Sequence, residues 1–151
     1  MIERITSAAN PNFFFLNYEA PSYRVVDFLT IPKHFFTPRK IEKRKPLPLT
    51  SKRAGWIGCN IVMKTLPQSG KIFCARNRAV TPKDEVLQQW QETVFLRTVP
   101  QQSRGWLLDV LACLEKLPDE FSLHDIYAFE EALKKLHPDN NFVKDKIRQQ
   151  L

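Results

Sequence analysis

Hydrophobic positions follow two different periods along this chain, and the change comes near residue 100. Before it, short apolar runs stand between turn residues, a pattern that is typical of strands. The runs predict strands at residues 13–16, 25–31 and 72–75. A further short apolar segment lies at 55–63, where Gly55 and Gly58 are predicted to allow close approach of the backbone. The first run is continuous, so a strand buried on both faces is predicted there. A helix is predicted over 82–94, and the Ile-Glu-Arg-Ile segment within residues 1–9 resembles a helix end.

After residue 100 the apolar positions recur at helical spacing, in three blocks. Ser103 is predicted to be the N-cap of the first helix, and Pro118 follows the end of that helix. Ser122 and Asp125 have the spacing of a capping box at the start of the second helix. Because the apolar positions continue without interruption, one helix is predicted from Ser122 to the neighbourhood of His137, with Leu123 and Leu136 among its buried residues.

The third helical block is predicted to begin at Asn140 or Asn141, with Val143, Ile147 and Leu151 on one face. Its period is still intact at the last residue, so the helix is expected to be interrupted there. Three short amphipathic helices, the last one basic, are typical of the helical half of a helix-turn-helix. A plain three-helix bundle that contacts another protein is the alternative interpretation.

Charge separates the same two regions. Residues 1–100 carry 16 Lys and Arg against 7 Asp and Glu, whereas residues 101–151 carry 7 against 9. Much of the surplus lies between Lys33 and Arg53, where prolines prevent long regular structure and predict an exposed basic loop. A basic surface of this kind is expected to meet phosphates. Solubility alone is the alternative reason for the charge.

Within this loop, cations lead directly into an aromatic residue. The cations are Lys43, Arg44, Lys45, Lys52 and Arg53. Trp56 follows them after one glycine. Cations neutralise phosphates, and an aromatic ring can stack on a base that has left the duplex. A buried core tryptophan beside a solvated run of charges is the alternative interpretation of Trp56.

Catalytic patterns are not found in the sequence. A hydrolase that acts on phosphodiesters usually needs carboxylates to hold Mg²⁺ and a nearby lysine, often as Asp/Glu-x-Lys on a strand. None of the acids in the first hundred residues begins such a triplet. Asp119 follows a proline as the motif would require, but it lies in a predicted turn between helices. No active site can therefore be assigned from the residues alone.

The cysteines and histidines also have unremarkable surroundings. The cysteines, which are predicted to be buried free thiols in a reducing compartment, are Cys59, Cys74 and Cys113. The histidines, which are predicted to be surface or capping residues without a Cys or Asp partner, are His34, His124 and His137. Neither set has the spacing of a zinc site. Without a membrane-length apolar run or a signal peptide, a cytoplasmic protein is expected.

Six segments, in order along the chain, resemble the DpnI and Dam-replacing family of methyl-directed type II restriction endonucleases. The most specific is Arg-Ala-Gly-Trp-Ile-Gly-Cys-Asn-Ile at residues 53–61. The others lie at residues 10–16, 45–47, 95–97, 103–106 and 146–151. The resemblance extends over the whole chain.

This resemblance implies a Mg²⁺-dependent enzyme that cleaves double-stranded DNA at GATC sites carrying N6-methyladenine. It implies an α+β chain, with a partial PD-(D/E)xK-type nuclease sheet of mixed strands over 1–100 and a partial winged-helix module over 101–151. Trp56 would contact the methyladenine, with the cations around it on phosphates. The third helix would enter the major groove with Asn140, Asn141, Lys144, Lys146 and Arg148.

By the same comparison, the chain lacks the family's zinc cysteines and its catalytic Asp and Glu-x-Lys, and it stops before the wing. We therefore expect that its residues bind no Mg²⁺ and that the chain alone does not cleave DNA. A monomer without membrane contact is expected. A non-catalytic DNA-binding or regulatory protein and a nonfunctional remnant of the endonuclease are the alternatives.

Overall fold

The computed structural model describes residues 12–151, apart from the side chain of Gln102. The helix end predicted within residues 1–9 lies outside this range. The described strands are β1 (Phe13–Glu19), β2 (Arg24–Ile31), β3 (Ile41–Lys43), β4 (Cys59–Ile61), β5 (Ile72–Arg76) and β6 (Ala79–Val80). The described α-helices are α1 (Lys83–Glu92), α2 (Gln101–Leu114), α3 (Leu123–Tyr127), α4 (Glu130–Leu136) and α5 (Val143–Gln150). This order confirms the predicted α+β architecture.

The strands form a four-stranded sheet in the order β1-β2-β5-β6 and a separate pair of β3 and β4. Every pairing among the described strands is antiparallel, where the sequence predicts a mixed sheet. Phe13 lies opposite Ile31 in the first pair, and Leu29 lies opposite Phe73 in the second. We call residues 12–97 the sheet unit.

The prediction that the first strand is buried on both faces is wrong. β1 lies at one side of the four-stranded order, and Phe14 and Leu16 are 60% and 58% exposed. Phe13 and Phe15, which alternate with them, pack against the core. A continuous apolar run does not distinguish a strand between two layers from one that has a packing partner on a single face.

The core of the sheet unit is built around Phe35 and Phe36, which are buried with Leu29 and Ile31 of β2. Gly70 is needed beside Phe35, because a Cβ there would lie 2.5 Å from its ring. The predicted exposed loop is therefore wrong over its first part. Two 3-10 turns, Lys33–Phe35 and Pro38–Lys40, fold it into the core.

The predicted cap of the first C-terminal helix is also wrong. α2 begins at Gln101, with Pro100 in the N-cap position and no side-chain capping hydrogen bond. Ser103 lies inside the helix, where its backbone amide donates to the carbonyl of Pro100. The fixed φ of proline suits the start of a helix, so the helix begins before the residue with the better capping side chain.

The second predicted helix is divided into α3 and α4. Its capping box is confirmed, because Ser122 Oγ accepts from the Asp125 amide and the Asp125 carboxylate accepts from the Ser122 amide. The helix then breaks at Phe129, which precedes α4 with φ −88° and ψ 3°. Leu123 and Leu136, predicted to be buried, are 49% and 43% exposed. α4 ends next to His137, as predicted.

α2 connects the two cores of the molecule. Leu108 is fully buried in the core of the sheet unit, whereas Val110 and Cys113 face the core of the helices. That second core is completed by Ile126, Leu133, Val143 and Ile147. We call residues 101–151 the helical unit. Leu151, predicted to lie on the buried face of the last helix, is 54% exposed.

The three cysteines are free, as predicted. Only Cys113 is buried, since Cys59 and Cys74 are half-buried and the prediction of burial is wrong for them. Cys59 lies in the two-stranded pair and Cys74 in the four-stranded sheet.

Candidate nucleic-acid interface

β3 and β4 form the base of a long hairpin over residues 41–61, which we call the basic hairpin. Beyond the two short strands, the Arg44 amide donates to the Gly58 carbonyl at 3.0 Å and the Leu47 amide to the Trp56 carbonyl at 2.9 Å. Backbone pairing therefore continues toward the tip. The region predicted as a basic loop is an ordered hairpin in this part.

The tip of the basic hairpin is closed by backbone hydrogen bonds. The Gly55 amide donates to the Leu47 carbonyl at 3.1 Å, and the Trp56 amide donates to the Arg53 carbonyl at 3.0 Å. Gly55 has a φ of 75°, in the left-handed region that glycine enters at little cost. The glycine before Trp56 therefore reverses the chain, and it does not serve the close approach predicted from the sequence, since nothing lies within 4 Å of a Cβ built there.

The five cations predicted to hold phosphates all lie on this hairpin and are exposed. They are Lys43, Arg44, Lys45, Lys52 and Arg53. Within residues 12–151, no carboxylate oxygen lies within 4.0 Å of their charged nitrogens. Positive charges without intramolecular partners attract a polyanion and release its counterions on binding.

Trp56 is 53% exposed, so the interpretation as a buried core tryptophan does not fit. Its ring lies against Gly58, where a Cβ would stand 3.0 Å from Trp56 Cζ3 and 3.5 Å from Arg44 Cδ. Gly58 thus has the close approach that the sequence predicts for it. An exposed aromatic ring on a hairpin that carries exposed cations is a surface on which a base can stack.

The segment before α5 differs from its prediction. Asn140 and Asn141 precede the helix, which begins at Val143, because Asn140 Oδ1 accepts from the Phe142 amide at 2.7 Å. Such a local bond from Asn to the backbone favours a turn over a helix. Phe142 stands next to the helix start and is 71% exposed. The sequence period did not select it, because Val143 and Ile147 define the apolar face.

The cations of α5 are each held by a neighbour. Lys144 Nζ lies 3.3 Å from Glu130 Oε2 and over the ring of Tyr127. Lys146 Nζ donates to Gln149 Oε1 at 2.9 Å, and Arg148 pairs with Asp145 one turn earlier. The structure therefore does not bring the predicted helix residues together with the hairpin cations into one unpaired basic cluster.

Two of the three histidines are not surface residues. His34 is 2% exposed, and burial, followed by the charges of Arg104 and Arg97, lowers its pKa to about 4. His137 is 6% exposed and, against the prediction, has an acidic partner. His124 is exposed in α3, as predicted.

Asp109 of α2 joins His137 to the sheet unit. Its carboxylate accepts from His137 Nε2 at 2.9 Å and from Lys40 Nζ at 3.2 Å, and Lys40 also donates to the Thr65 carbonyl at 2.7 Å. Burial raises the pKa of Asp109, but bonds from His137 and Lys40 together with the Lys40 charge outweigh it, so the pKa lies below its usual range. Removing one member of such a buried pair costs about 3–5 kcal/mol.

The donor set of the sheet unit does not fit the Mg²⁺ that the family resemblance implies. Glu19 accepts from Arg78 and from Ser22, and Asp27 accepts from Asn17 and from a backbone amide. Between residues 12 and 151, no three His, Cys, Asp or Glu side chains form a group that could hold a metal ion.

The described helices include none that is both long enough and apolar enough to span a membrane.

An exposed basic hairpin on a small sheet, followed by a cluster of short helices, is typical of a nucleic-acid-binding protein. A family model described as the Dam-replacing family matches residues 1–99, and one described as the Dam-replacing helix-turn-helix domain matches residues 102–151. The chain belongs to the Dam-replacing family. The chain is therefore related to restriction endonucleases. Its C-terminal helices form a DNA-binding helix-turn-helix domain that is consistent with a winged helix.

Proposed function

We propose that this chain recognises double-stranded DNA at GATC sites that carry N6-methyladenine. The observation that supports this most is the exposed Trp56 ring near the tip of a hairpin whose five cations have no acidic partner within residues 12–151. In the proposal, the cations contact phosphates and fix the position of the hairpin. Trp56 then makes apolar contact with the methyl group, which sits on an otherwise polar base edge.

The helical unit supplies the second contact in this proposal. Asn140 and Asn141 stand in front of α5, where side-chain amides are suited to the N6 and N7 edge of adenine. The positive end of the α5 dipole and its free amides favour a nearby phosphate. Lys144 and Arg148 contribute less net charge than two unpaired cations, since each pairs with a carboxylate, whereas Lys146 is held by the neutral amide of Gln149.

Cleavage is proposed to require residues other than those described. In the intact family enzyme, Mg²⁺ would polarise the scissile phosphate, and it needs a cluster of carboxylates that residues 12–151 do not supply. The purified chain, which we propose to be a monomer, should therefore bind methylated DNA without cutting it in the presence of Mg²⁺. The lack of a carboxylate cluster in residues 12–151 also favours a second candidate function, that of a DNA-binding protein without nuclease activity.

The test is a comparison of binding to methylated and unmethylated duplexes that are otherwise identical, measured by fluorescence anisotropy. Trp56→Ala should reduce the preference for the methylated duplex by on the order of tenfold, because a small apolar contact contributes about 1–3 kcal/mol to discrimination. Tyr23→Ala removes another exposed aromatic, 82% exposed in the β1–β2 turn, and should leave the preference unchanged. An equal loss on both duplexes would mean that Trp56 does not read the methyl group.

A further inference from the structure

The 3-10 turn Pro38–Lys40 lies next to the first strand of the basic hairpin and holds the helical unit with two consecutive side chains. Lys40 pairs with Asp109 of α2, and both are buried, at 5% and 7% side-chain exposure. Arg39 reaches past them, donating to the Leu136 carbonyl at the end of α4 and to His137 Nδ1 at 2.9 Å. We call these four residues, Arg39, Lys40, Asp109 and His137, the clamp.

His137 is contacted at both ring nitrogens. Arg39 Nη1 lies 2.9 Å from Nδ1 and 3.5 Å from Nε2. Nε2 donates to the Asp109 carboxylate at 2.9 Å. The ring is also stacked on Trp106 of α2, with centroids 3.7 Å apart and planes 16° apart. His137 is therefore held on both ring nitrogens and on one face.

The clamp holds a part of the helical unit that contributes no residue to the core of the sheet unit. α2 is already anchored to the sheet unit by Leu108. The connection from α4 to α5 is not part of that core, and its first residue is His137. The same connection contains Asn140 and Asn141, the residues proposed to read base edges. At the other side of the clamp, the Lys40 carbonyl accepts from the Val62 amide at 2.8 Å, which joins the clamp to the base of the hairpin.

We propose that the clamp is a positioning device that holds the α4–α5 connection at a fixed place relative to the basic hairpin, so that both surfaces engage one DNA duplex together. This inference rests on the proposed function. Two contacts on one rigid body bind with a high effective concentration for the second contact, and that advantage falls when the bodies move independently. Arg39, Lys40, Asp109 and His137 would act through this geometry, without touching the bases.

The first test does not involve DNA. A ketone-bearing amino acid at exposed Asn60 of β4 and at exposed Gln149 of α5 allows spin labelling without using the native cysteines. Pulsed electron paramagnetic resonance should give a narrow distance distribution in the wild type. Arg39→Gln should broaden it, whereas Arg24→Gln, an exposed arginine outside the clamp, should not. An unchanged narrow distribution in the Arg39 variant would overturn the proposal, whether or not the protein binds DNA.

The second test uses a cycle of variants and methylated duplex. Arg39→Gln should weaken binding by on the order of tenfold in the wild type. The same Arg39→Gln change is then made in a protein whose Lys43, Arg44 and Lys45 are already Ala. There it should weaken binding no more than Arg24→Gln does, because the hairpin surface no longer binds and only the helical unit contacts the DNA. Equal losses in both backgrounds would contradict coupling. Asp109→Asn is a stronger disruption of the same kind, and Arg39→Gln decides the matter if that variant does not fold. If the wild type binds no duplex, the proposed function fails and the distance measurement still decides on the clamp.

Discussion

Residues 43–45 of the basic hairpin and residues 144–148 of α5 each include three closely spaced cations, and the two sets have different neighbours. In the described part of the chain, no carboxylate oxygen lies within 4.0 Å of the charged nitrogens of Lys43, Arg44 or Lys45. The three cations on α5 are held by Glu130, by Gln149 and by Asp145. Unpaired like charges repel one another until an anion arrives, whereas paired charges gain little more from it. Equal numbers of cations therefore do not indicate equal roles in binding DNA.

Folding stability should show the opposite contrast, and here we expect the largest effect. Ile147 of α5 is fully buried, so Ile147→Ala should lower the free energy of unfolding by about 2–5 kcal/mol. Leu49 near the hairpin tip is 92% exposed, and Leu49→Ala should change it by less than about 0.5 kcal/mol. Urea denaturation measures both. A large loss at Leu49 would mean that the hairpin tip is part of the fold and not a surface displayed by it.

The hairpin cations should dominate the salt dependence of DNA binding. Changing Lys43, Arg44 and Lys45 to Ala removes about three phosphate contacts, so affinity should fall on the order of 100-fold at about 0.1 M salt. The slope of log K against log salt should become shallower by about 2.7. Both methylated and unmethylated duplexes should be affected alike, because phosphate contacts carry no sequence information.

The matched control is the corresponding change of Lys144, Lys146 and Arg148 to Ala, measured over the same salt series. Since Lys144 and Arg148 are already paired with carboxylates, the slope should change by less than half as much as in the hairpin variant. Equal changes in slope would remove the distinction between the two regions.

Much of this contrast could be predicted from the sequence, because exposure of a charge run and the period of a helix are local properties. The hairpin cations and the buried face formed by Val143 and Ile147 are examples. The partners of the α5 cations could not be predicted with the same ease, because the Lys144–Glu130 pair depends on how α4 and α5 pack. The break between α3 and α4 was missed for the same reason, since the apolar positions fit one continuous helix.

The clamp was missed for a different reason. A buried lysine inside a basic run looks like its solvated neighbours, and nothing local distinguishes Lys40 from Lys43. The available signal was Asp109, a carboxylate in the middle of the apolar sequence Leu-Leu-Asp-Val-Leu at residues 107–111. An acid on a buried helix face needs a cationic partner, although the sequence does not say which one.

Buried His34 should make the free energy of unfolding depend on pH. The pKa of His34 is lowered from 6.5 to about 4 in the fold, so the unfolded chain binds the proton more readily between these values. Its contribution is therefore complete above pH 6.5 and is lost as the pH falls toward about 4, at up to about 1.4 kcal/mol per pH unit.

Urea denaturation at about pH 7.5 and about pH 5.5 tests this dependence. His34→Gln should flatten the difference between the two conditions, because glutamine does not titrate. His124→Gln, at an exposed position, should leave the difference as it is in the wild type. A pH dependence that persists in the His34 variant would assign it to other groups.

The smallest effect we expect compares two serines of the helical unit, both of which the sequence predicts to be caps. Ser122 Oγ accepts from the Asp125 amide, so Ser122→Ala should lower the free energy of unfolding by about 1 kcal/mol. Ser103 lies exposed within α2, and no side-chain bond caps that helix. Because alanine is the better helix former, Ser103→Ala should leave the free energy of unfolding unchanged or raise it by roughly a few tenths of a kcal/mol. Chemical denaturation of the two variants side by side measures the difference. A similar loss in both would mean that Ser103 caps α2 after all, and that Pro100 does not fix where the helical unit begins.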